Sequence, residues 1–482
     1  MSTFKAMNLS ETTLKSLEVL GYNEATEVQE KVIESLLNNE SLIVQSQTGS
    51  GKTAAFGIPI VEHIDWDNRL PQALVLAPTR ELALQIQEEI FNIGRFKRLI
   101  VEAVFGRSSF EAQEKKLRGL CHVVVATPGR LIDHIERGTI DLSEVKTLII
   151  DEADEMLDMG FIDQIKAVTK ALPKDKTISL FSATMPDKIK ELSQQIMKDA
   201  KFIKVEALNA VDDRILQERY FVSQKQKLDA LKEILILENP NSSIIFCNTK
   251  ANVEMVADML WSLGINVETL HGDMEQRDRT YVINEFKRAG FRYLVATDVA
   301  ARGLDIDDIA LVVNFDLPEN TASYIHRIGR TARIEKMGKA ISLVDDYETK
   351  YLITILEDTQ FQIDNMKRPS ESMLESKKDA FNAKILRQPK RKQAKGDDFK
   401  NQITKLHINA GKKTKMRPVD LVGALCSIDG VEKDDIGVIG IVDVSTFVEI
   451  LNGKGKLVLD TLQTMPIKGR VRKVSLANQH LE

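Results

Sequence analysis

The sequence predicts an α/β protein: two parallel-sheet domains in tandem, then a smaller α+β domain. Three observations carry this. Short apolar strands alternate with amphipathic helices up to about residue 206, a rhythm that predicts a parallel sheet covered on both faces. The rhythm restarts at 214 and runs to about 363. Residues 401–478 then change to the order β-α-β-β-α-β. The length of 482 residues fits about three domains at roughly 150 residues each.

In the first domain (1–206) the predicted strands are "SLIVQ" (41–45), "ALVLA" (73–77), "HVVVA" (122–126), "TLII" (147–150) and "ISLFS" (178–182). In the second (214–363) they are "SSIIFC" (242–247), "VETL" (267–270), "YLVAT" (293–297), "IALVVNF" (309–315) and "KAISLV" (339–344). Residues 364–400 are polar and charged, which predicts a basic linker, flexible or partly helical. The last domain shows "ITKLHINA", a helix near 419–427, "DIGVIGIVD", "STFVEIL", a helix near 456–463 and "GRVRKVSL". That order is the RRM topology, among others.

Hydrophobic residues make up 43% of the chain, enough for large cores. Cys121, Cys247 and Cys426 are far apart, which argues against a disulfide framework or a zinc site and fits a reducing cytoplasm. The N-terminus has no apolar core with a cleavage site, so no signal peptide is expected. No apolar run approaches a membrane span. The net charge is -5, which excludes a uniformly basic nucleic-acid binder, yet residues 384–418 hold 12 Lys/Arg against 2 Asp. That asymmetry predicts an anionic partner for the C-terminal part.

The strand "SLIVQ" runs into "SQTGSGKT" and a helical segment, nearly the pattern G-x-x-x-x-G-K-[ST] in its strand–loop–helix context. Gly49 and Gly51 let the backbone curl so that N–H groups face phosphates. Lys52 can reach the β- and γ-phosphates and Thr53 can hold Mg²⁺. Ser46 stands where the general pattern has Gly, and Gln47, Thr48 and Ser50 complete the loop. A buried strand, "TLII", is followed at once by Asp151, Glu152, Asp154 and Glu155. Four carboxylates so close repel one another unless a cation compensates. Asp151 is placed to bind Mg²⁺ and Glu152 to act as the base that positions the attacking water. Asp154 and Glu155 are expected to orient neighbours.

The letters Asp-Glu-Ala-Asp after a P-loop strand resemble the DEAD-box RNA helicases, and the resemblance continues in order over residues 4–345. It implies two RecA-like domains that use ATP and Mg²⁺. "GYNEATEVQ" (21–29) resembles the family's Q motif. By that resemblance Gln29 reads adenine, and Phe4 and Tyr22 pack near the base; Ala25 replaces the usual Pro. "PTRELA" (78–83), Gly106-Arg107 and "TPGR" (127–130) match RNA-backbone segments, which makes Thr79, Arg80, Gly106, Arg107, Thr127, Gly129 and Arg130 RNA contacts. Arg107 replaces the second Gly of a family Gly-Gly pair. Ser182 and Thr184 of "SAT" match the segment coupling hydrolysis to strand separation, together with Asp154.

In the second domain "IIFCNTK", "HGDMEQRDR" and "ATDVAARGLD" match in the same way. Thr249, Gln276, Arg279, Thr297 and Asp298 are then expected on the RNA side, Asp305 on the ribose, and Arg302 as a bridge between domains. "YIHRIGRTAR" (324–333) implies Arg330 and Arg333 as arginine fingers on the γ-phosphate and His326 as a contact to the acidic segment. Ala332 sits where many members have Gly.

The tail resembles the C-terminal domain of the DbpA/YxiN group of bacterial DEAD-box proteins. This implies binding to a 23S rRNA hairpin, an RNA-dependent ATPase and a role in assembling the large ribosomal subunit; a cytoplasmic monomer is expected beside it. The sheet that would stack bases is poor: Ser445 and His407 stand where aromatics are usual, leaving Phe447. The basic loop 411–418, with Lys412, Lys413, Lys415 and Arg417, and the later Arg470, Arg472 and Lys473, point instead to recognition of a folded RNA through backbone and shape.

Overall fold

The structure, a computed structural model, describes residues 3–46, 49–205, 214–301, 309–331, 337–387, 389–391 and 403–477. Gln47, Thr48, Arg302, Asp305, Ala332 and Arg333 lie outside the described residues.

In the first domain seven strands, β1 (Leu42–Gln45), β2 (Ala73–Leu76), β3 (Val101–Val104), β4 (Val123–Ala126), β5 (Thr147–Ile150), β6 (Thr177–Ser182) and β7 (Lys201–Lys204), form one sheet in the order β3-β4-β2-β5-β6-β1-β7. All pairings are parallel. β2 and β4 are buried along their whole length, as expected of strands with helices on both faces. The order sets β1, β6 and β5 side by side. Parallel strands all end at the same edge, so the segments after 45, 150 and 182 meet there.

The second domain repeats the plan with β8 (Ile215–Phe221), β9 (Ser243–Cys247), β10 (Val267–Leu270), β11 (Tyr293–Thr297), β12 (Leu311–Asn314), β13 (Gly338–Val344) and β14 (Asp364–Met366). The sheet order is β10-β11-β9-β12-β13-β8-β14, again parallel. Here the boundary expected at 363 is corrected. β14 extends this sheet, and the helix Glu371–Ile385, capped by Ser370, buries Phe381 in the domain's core. The first half of the stretch read as a basic linker therefore belongs to the second domain.

The C-terminal domain has β15 (Thr404–Ile408), β16 (Ile436–Ile441), β17 (Thr446–Ile450), the short hairpin β18 (Pro466–Ile467) and β19 (Arg470–Val471), and β20 (Val474–Leu476). Its four-stranded sheet runs β16-β17-β15-β20, antiparallel, with helices Pro418–Cys426 and Gly455–Leu462 packed on one face. The other face carries Lys405, His407, Phe447 and Glu449, because side chains alternate along a strand. This is the RRM-like arrangement that the pattern predicts.

Candidate active site and nucleic-acid interface

β1 ends at Gln45, the next residue, Ser46, is buried, and the chain turns through Gly49 (φ 81°) and Gly51 (φ 88°) into the helix Lys52–His63. Both glycines occupy the left-handed region that side chains avoid. A Cβ on Gly51 would also lie 2.5 Å from the Gln29 amide nitrogen. Lys52 is buried and its Nζ donates to the Ser46 carbonyl at 3.2 Å. Thr53, one residue on, is half-buried.

Gln29 is committed to this loop. Its Nε2 donates to the Gly51 carbonyl at 3.2 Å and its Oε1 accepts from Thr26 N–H at 2.9 Å. Thr26 Oγ1 donates to the Ser50 carbonyl at 2.8 Å. The segment expected to read adenine is thus stitched to the phosphate loop, and the amide keeps one further N–H and one further lone pair for a base edge. Phe4 is a core residue that meets Tyr22 edge-on at 6.2 Å; the Tyr22 hydroxyl donates to Glu89.

Asp151 and Glu152 follow β5. Asp151 is buried and accepts from Glu152 N–H at 3.0 Å. Burial pushes its carboxyl up to about 7, with the Lys52 ammonium opposing and Glu152 adding to the rise. Glu152 sits at φ 52°, and its buried Oε2 has no hydrogen-bond partner among the described residues. A buried ammonium, a desolvated carboxyl and an orphaned carboxylate oxygen at one sheet edge fit a magnesium triphosphate with an attacking water. Among the described residues there is no cluster of three His, Cys, Asp or Glu that could hold a metal. Mg²⁺ is commonly held by one or two protein groups plus phosphate oxygens; Thr53 and Asp151 would supply those groups.

Asp154 is joined to the end of β6. Its Oδ2 accepts from Thr184 N–H and Oγ1, both at 2.8 Å, while its own N–H donates to Ser182 Oγ at 3.3 Å. Burial pushes Asp154 up, but His326, the Thr184 bonds and Lys52 outweigh it and hold it below its usual value. His326 arrives from the second domain, 3.4 Å from Glu155. Burial lowers its pKa against the pull of Asp154 and Glu152. Its environment also includes the charges of Arg330 and Lys52, so residues from both domains converge on one cleft. Arg330 is buried.

Several expected RNA contacts are spent on the protein. Gln276 and Arg279 both hold Glu81 of the first domain, at 3.1 and 2.8 Å, and Arg279 also donates to the Ala300 carbonyl. They form a clasp across the cleft. Asp298 is held within its own domain: Arg327 grips it at 2.5 and 2.7 Å and also donates to Asn248, Asn314 and the Asp316 carbonyl. Arg130 turns inward to the Ser108 carbonyl and Gln113, both at 3.1 Å. Arg417 is paired with Asp420 at 2.9 Å and caps the helix that follows. Glu81, Gln113 and Arg327 are functional or supporting residues that sequence reasoning missed. Glu81 sat within the quoted "PTRELA", and Arg327 within "YIHRIGRTAR".

Other candidates remain available. Thr79 and Thr249 start helices, with Arg80 lying 4.4 Å over Phe105. Gly106, Arg107 and Gly129 are exposed, Thr127 precedes the helix Pro128–Glu136, and Thr297 ends β11 half-buried. Arg107 adopts φ 57°, where the Gly usual at that position would carry no strain. In the C-terminal domain Lys412, Lys413 and Lys415 are exposed on a turn bonded to the β16–β17 connection through Lys412 N–H to Val442 O and Lys413 N–H to Asp443 O, both 2.8 Å. Gly411 makes this possible, since a Cβ there would stand 2.2 Å from the Val442 carbonyl. His407 meets Phe447 at 5.1 Å and bonds Ser445 at 2.9 Å, so the sheet offers one small aromatic patch.

Comparison with known proteins agrees with this geometry. Family models match for the DEAD/DEAH box helicase (residues 26–192), the helicase conserved C-terminal domain (226–335) and the DbpA RNA binding domain (405–476). The chain is 50% identical, over 99% of its length and 100% of the relative's, to the ATP-dependent RNA helicase DbpA of Bacillus subtilis. The chain belongs to the DEAD-box ATP-dependent RNA helicases. This helicase is also 44% identical, over 77% of its chain and 79% of the relative's, to DEAD-box helicase CshA of Geobacillus kaustophilus. Among solved structures, S. cerevisiae Dbp5 bound to RNA and ADP BeF3 matches with TM-score 0.71 and 32% identity, covering 80% of this chain and 100% of that one. A point variant of Dbp5 bound to Nup159, Gle1, IP6 and ADP matches with TM-score 0.58 and 31% identity, covering 78% and 100%.

Proposed function

We propose that this ATP-dependent RNA helicase opens short RNA duplexes locally and is addressed by its C-terminal domain to 23S rRNA in assembling large ribosomal subunits. We further propose that it acts as a cytoplasmic monomer with ATP and Mg²⁺. The observation that carries the reading is the joining of a closed two-domain ATP cleft to a third domain whose exposed lysines stand on a turn held by Gly411. Among the described residues no helix is long and apolar enough to cross a membrane.

Lys52 binds the β- and γ-phosphates, and Thr53 with Asp151 would hold Mg²⁺, which when bound offsets phosphate charge. Glu152 takes the proton from the attacking water; its orphaned oxygen supports that role. Arg330 and Arg333 stabilise charge on the transferring phosphoryl group, a contribution worth about 10³-fold or more in related chemistry. Asp154 is bonded to both Thr184 and Ser182, so a change at the acidic segment moves the "SAT" segment. That linkage favours unwinding over a clamp that holds RNA without separating strands. Thr79, Arg80, Gly106, Arg107, Thr127, Gly129, Thr249 and Thr297 remain RNA-facing, mostly on backbone phosphates. Such contacts position without reading sequence, so selectivity falls to the C-terminal domain.

The test is ATPase rate against three RNAs at one salt concentration: 23S rRNA, a fragment from its peptidyl-transferase region, and unrelated RNA of matched length. Salt is fixed because phosphate-driven affinity depends on it steeply. Stimulation at far lower concentration by both 23S species supports the address. Equal stimulation by all three removes it and leaves a general RNA anchor. Failure to displace a short paired strand would favour the clamp.

A further inference from the structure

The outer face of an RRM-like sheet is ordinarily free, yet Glu449 on that face of β17 is 7% exposed. The first domain covers it. Arg95, just beyond the helix Arg80–Ile93, pairs with Glu449 at 3.0 Å, with side chains only 15% and 9% exposed. Two further bonds flank this pair. Arg98 Nη2 donates to the Lys433 carbonyl at 2.5 Å, and Lys15 Nζ donates to Asn452 Oδ1 at 3.2 Å.

Both sides of the contact are stiffened by their own domains. Asn452 is oriented by Asp435, which accepts its Nδ2 at 2.7 Å and also takes Lys454 at 2.7 Å. Lys15 lies 4.5 Å over Phe96, and Arg95 lies 4.7 Å over Phe91. Lys97 donates to the carbonyls of Val61 and Glu62 at 2.7 and 3.0 Å. Those carbonyls belong to the last turn of the helix that begins at Lys52. The loop 94–98 is therefore fastened to the helix that starts at the phosphate loop.

We propose that residues 95–98 with Lys15 are a docking surface for this chain's own C-terminal domain, a polar latch that seats it on the first domain. The occupant is fixed by charge and geometry: three cations of the first domain meet a carboxylate, a carbonyl and an amide oxygen. The latch covers the Glu449 end of the sheet and leaves the His407–Phe447 end and the lysine turn open. RNA held there is presented at one distance from the cleft. A flexible tether would spread that distance and lower the effective concentration of the address at the core. This last consequence rests on the reading that the C-terminal domain binds structured RNA; the docking itself does not.

The test uses the full chain, with one dye on the exposed native Cys426 and another on Lys170→Cys in the first domain; Cys121 and Cys247 are buried. Single-molecule energy transfer should give one narrow population for the parent. Arg95→Glu and Glu449→Arg should each broaden it, and the two together should restore it. Glu449→Gln, a milder change, should broaden it in part and guards against a misfolded domain. A broad parent population, or charge reversals that change nothing, overturns the latch. So does a population that excess unlabelled chain shifts, because the domain would then be seated on a second copy. A several-fold loss of unstructured-RNA affinity in Arg95→Glu with unchanged energy transfer also overturns it and makes Arg95 an RNA contact. ATPase stimulation is then read with a hairpin joined to a duplex by single-stranded spacers of increasing length. The parent should show a sharp spacer optimum and the singly reversed chains a flat response. If no chain prefers the hairpin RNA, the address fails while the energy-transfer result still decides the docking.

Discussion

At Glu152 the backbone adopts φ 52°, a conformation that costs an ordinary residue roughly 1–2 kcal/mol. The strain turns β5 directly into the helix Ala153–Asp158 and leaves a carboxylate oxygen buried without a partner among the described residues. Strain and an orphaned acceptor at one residue are tolerable where a substrate group completes the site. Glu152→Gln should therefore retain nucleotide binding while single-turnover hydrolysis falls roughly 10²–10⁴-fold; near-normal turnover removes Glu152 from the base role. Lys52→Ala should abolish turnover in the same assay. Asp151 carries a pH signature. Its carboxyl rises from 3.8 to about 7 on folding, so the folded chain holds the extra proton between those values. The resulting stabilisation is complete below the unfolded value and is lost as pH rises through about 7. Asp151→Asn should remove that loss, so the Tm of nucleotide-free mutant relative to parent should climb from about pH 5 to about pH 8. A constant difference would rule out Asp151 as the group that titrates.

Among elements, the clasp between Gln276, Arg279 and Glu81 is the clearest cross-cleft device. Its groups are mostly shielded from solvent, so breaking it should matter more than breaking a surface pair. Glu81→Ala should weaken apparent RNA affinity in the ATPase assay by about 1 kcal/mol, roughly fivefold. Combination with Arg279→Ala should add little, because one interaction is lost once. Additive effects would mean that Arg279 has a separate task. Gly411→Ala drives a Cβ toward the Val442 carbonyl, so it should lower the melting transition of the C-terminal domain and erase RNA preference while leaving ATPase with unstructured RNA intact.

Elements differed in how readable they were. The central strands announced themselves as unbroken apolar runs. Edge strands such as β3 "VEAV", β7 "KFIK" and β14 "DNM", and the mixed β8 "ILQERYF", did not, since a strand with a solvated face or one neighbour needs no such run. The phosphate loop and acidic segment were legible because their chemistry is local. Arg327 with Asp298, and Gln276 with Glu81, were not, because these pairs depend on how distant segments and separate domains dock.

For the whole molecule, domain limits follow from what is buried rather than from composition. Residues 364–400 are polar enough to suggest a linker, yet Phe381 is a core residue and β14 covers the edge of β8. A chain ending at 387 should keep a cooperative core and RNA-stimulated ATPase activity without target preference. A chain ending at 363 should melt lower and aggregate, because it bares the seat of Phe381 and the sheet edge. Equal melting of the two would show that the helix Glu371–Ile385 contributes nothing to the core.

The guanidinium of Arg327 joins Asp298 after β11, Asn314 and Asp316 at the end of β12, and Asn248 after β9. It shares a short helix with His326, on the side of the cleft that faces the acidic segment. One buried planar cation thus serves as a keystone for three strand ends and for the helix that carries His326 to the acidic segment. Lysine cannot replace it, since a single ammonium cannot reach that many acceptors in a plane. Positions 248, 298, 314 and 327 are consequently expected to be inherited as a set. A relative that has lost the arginine should carry compensating changes at the other three, and where it does not, its second domain should have lost the ability to close on the first.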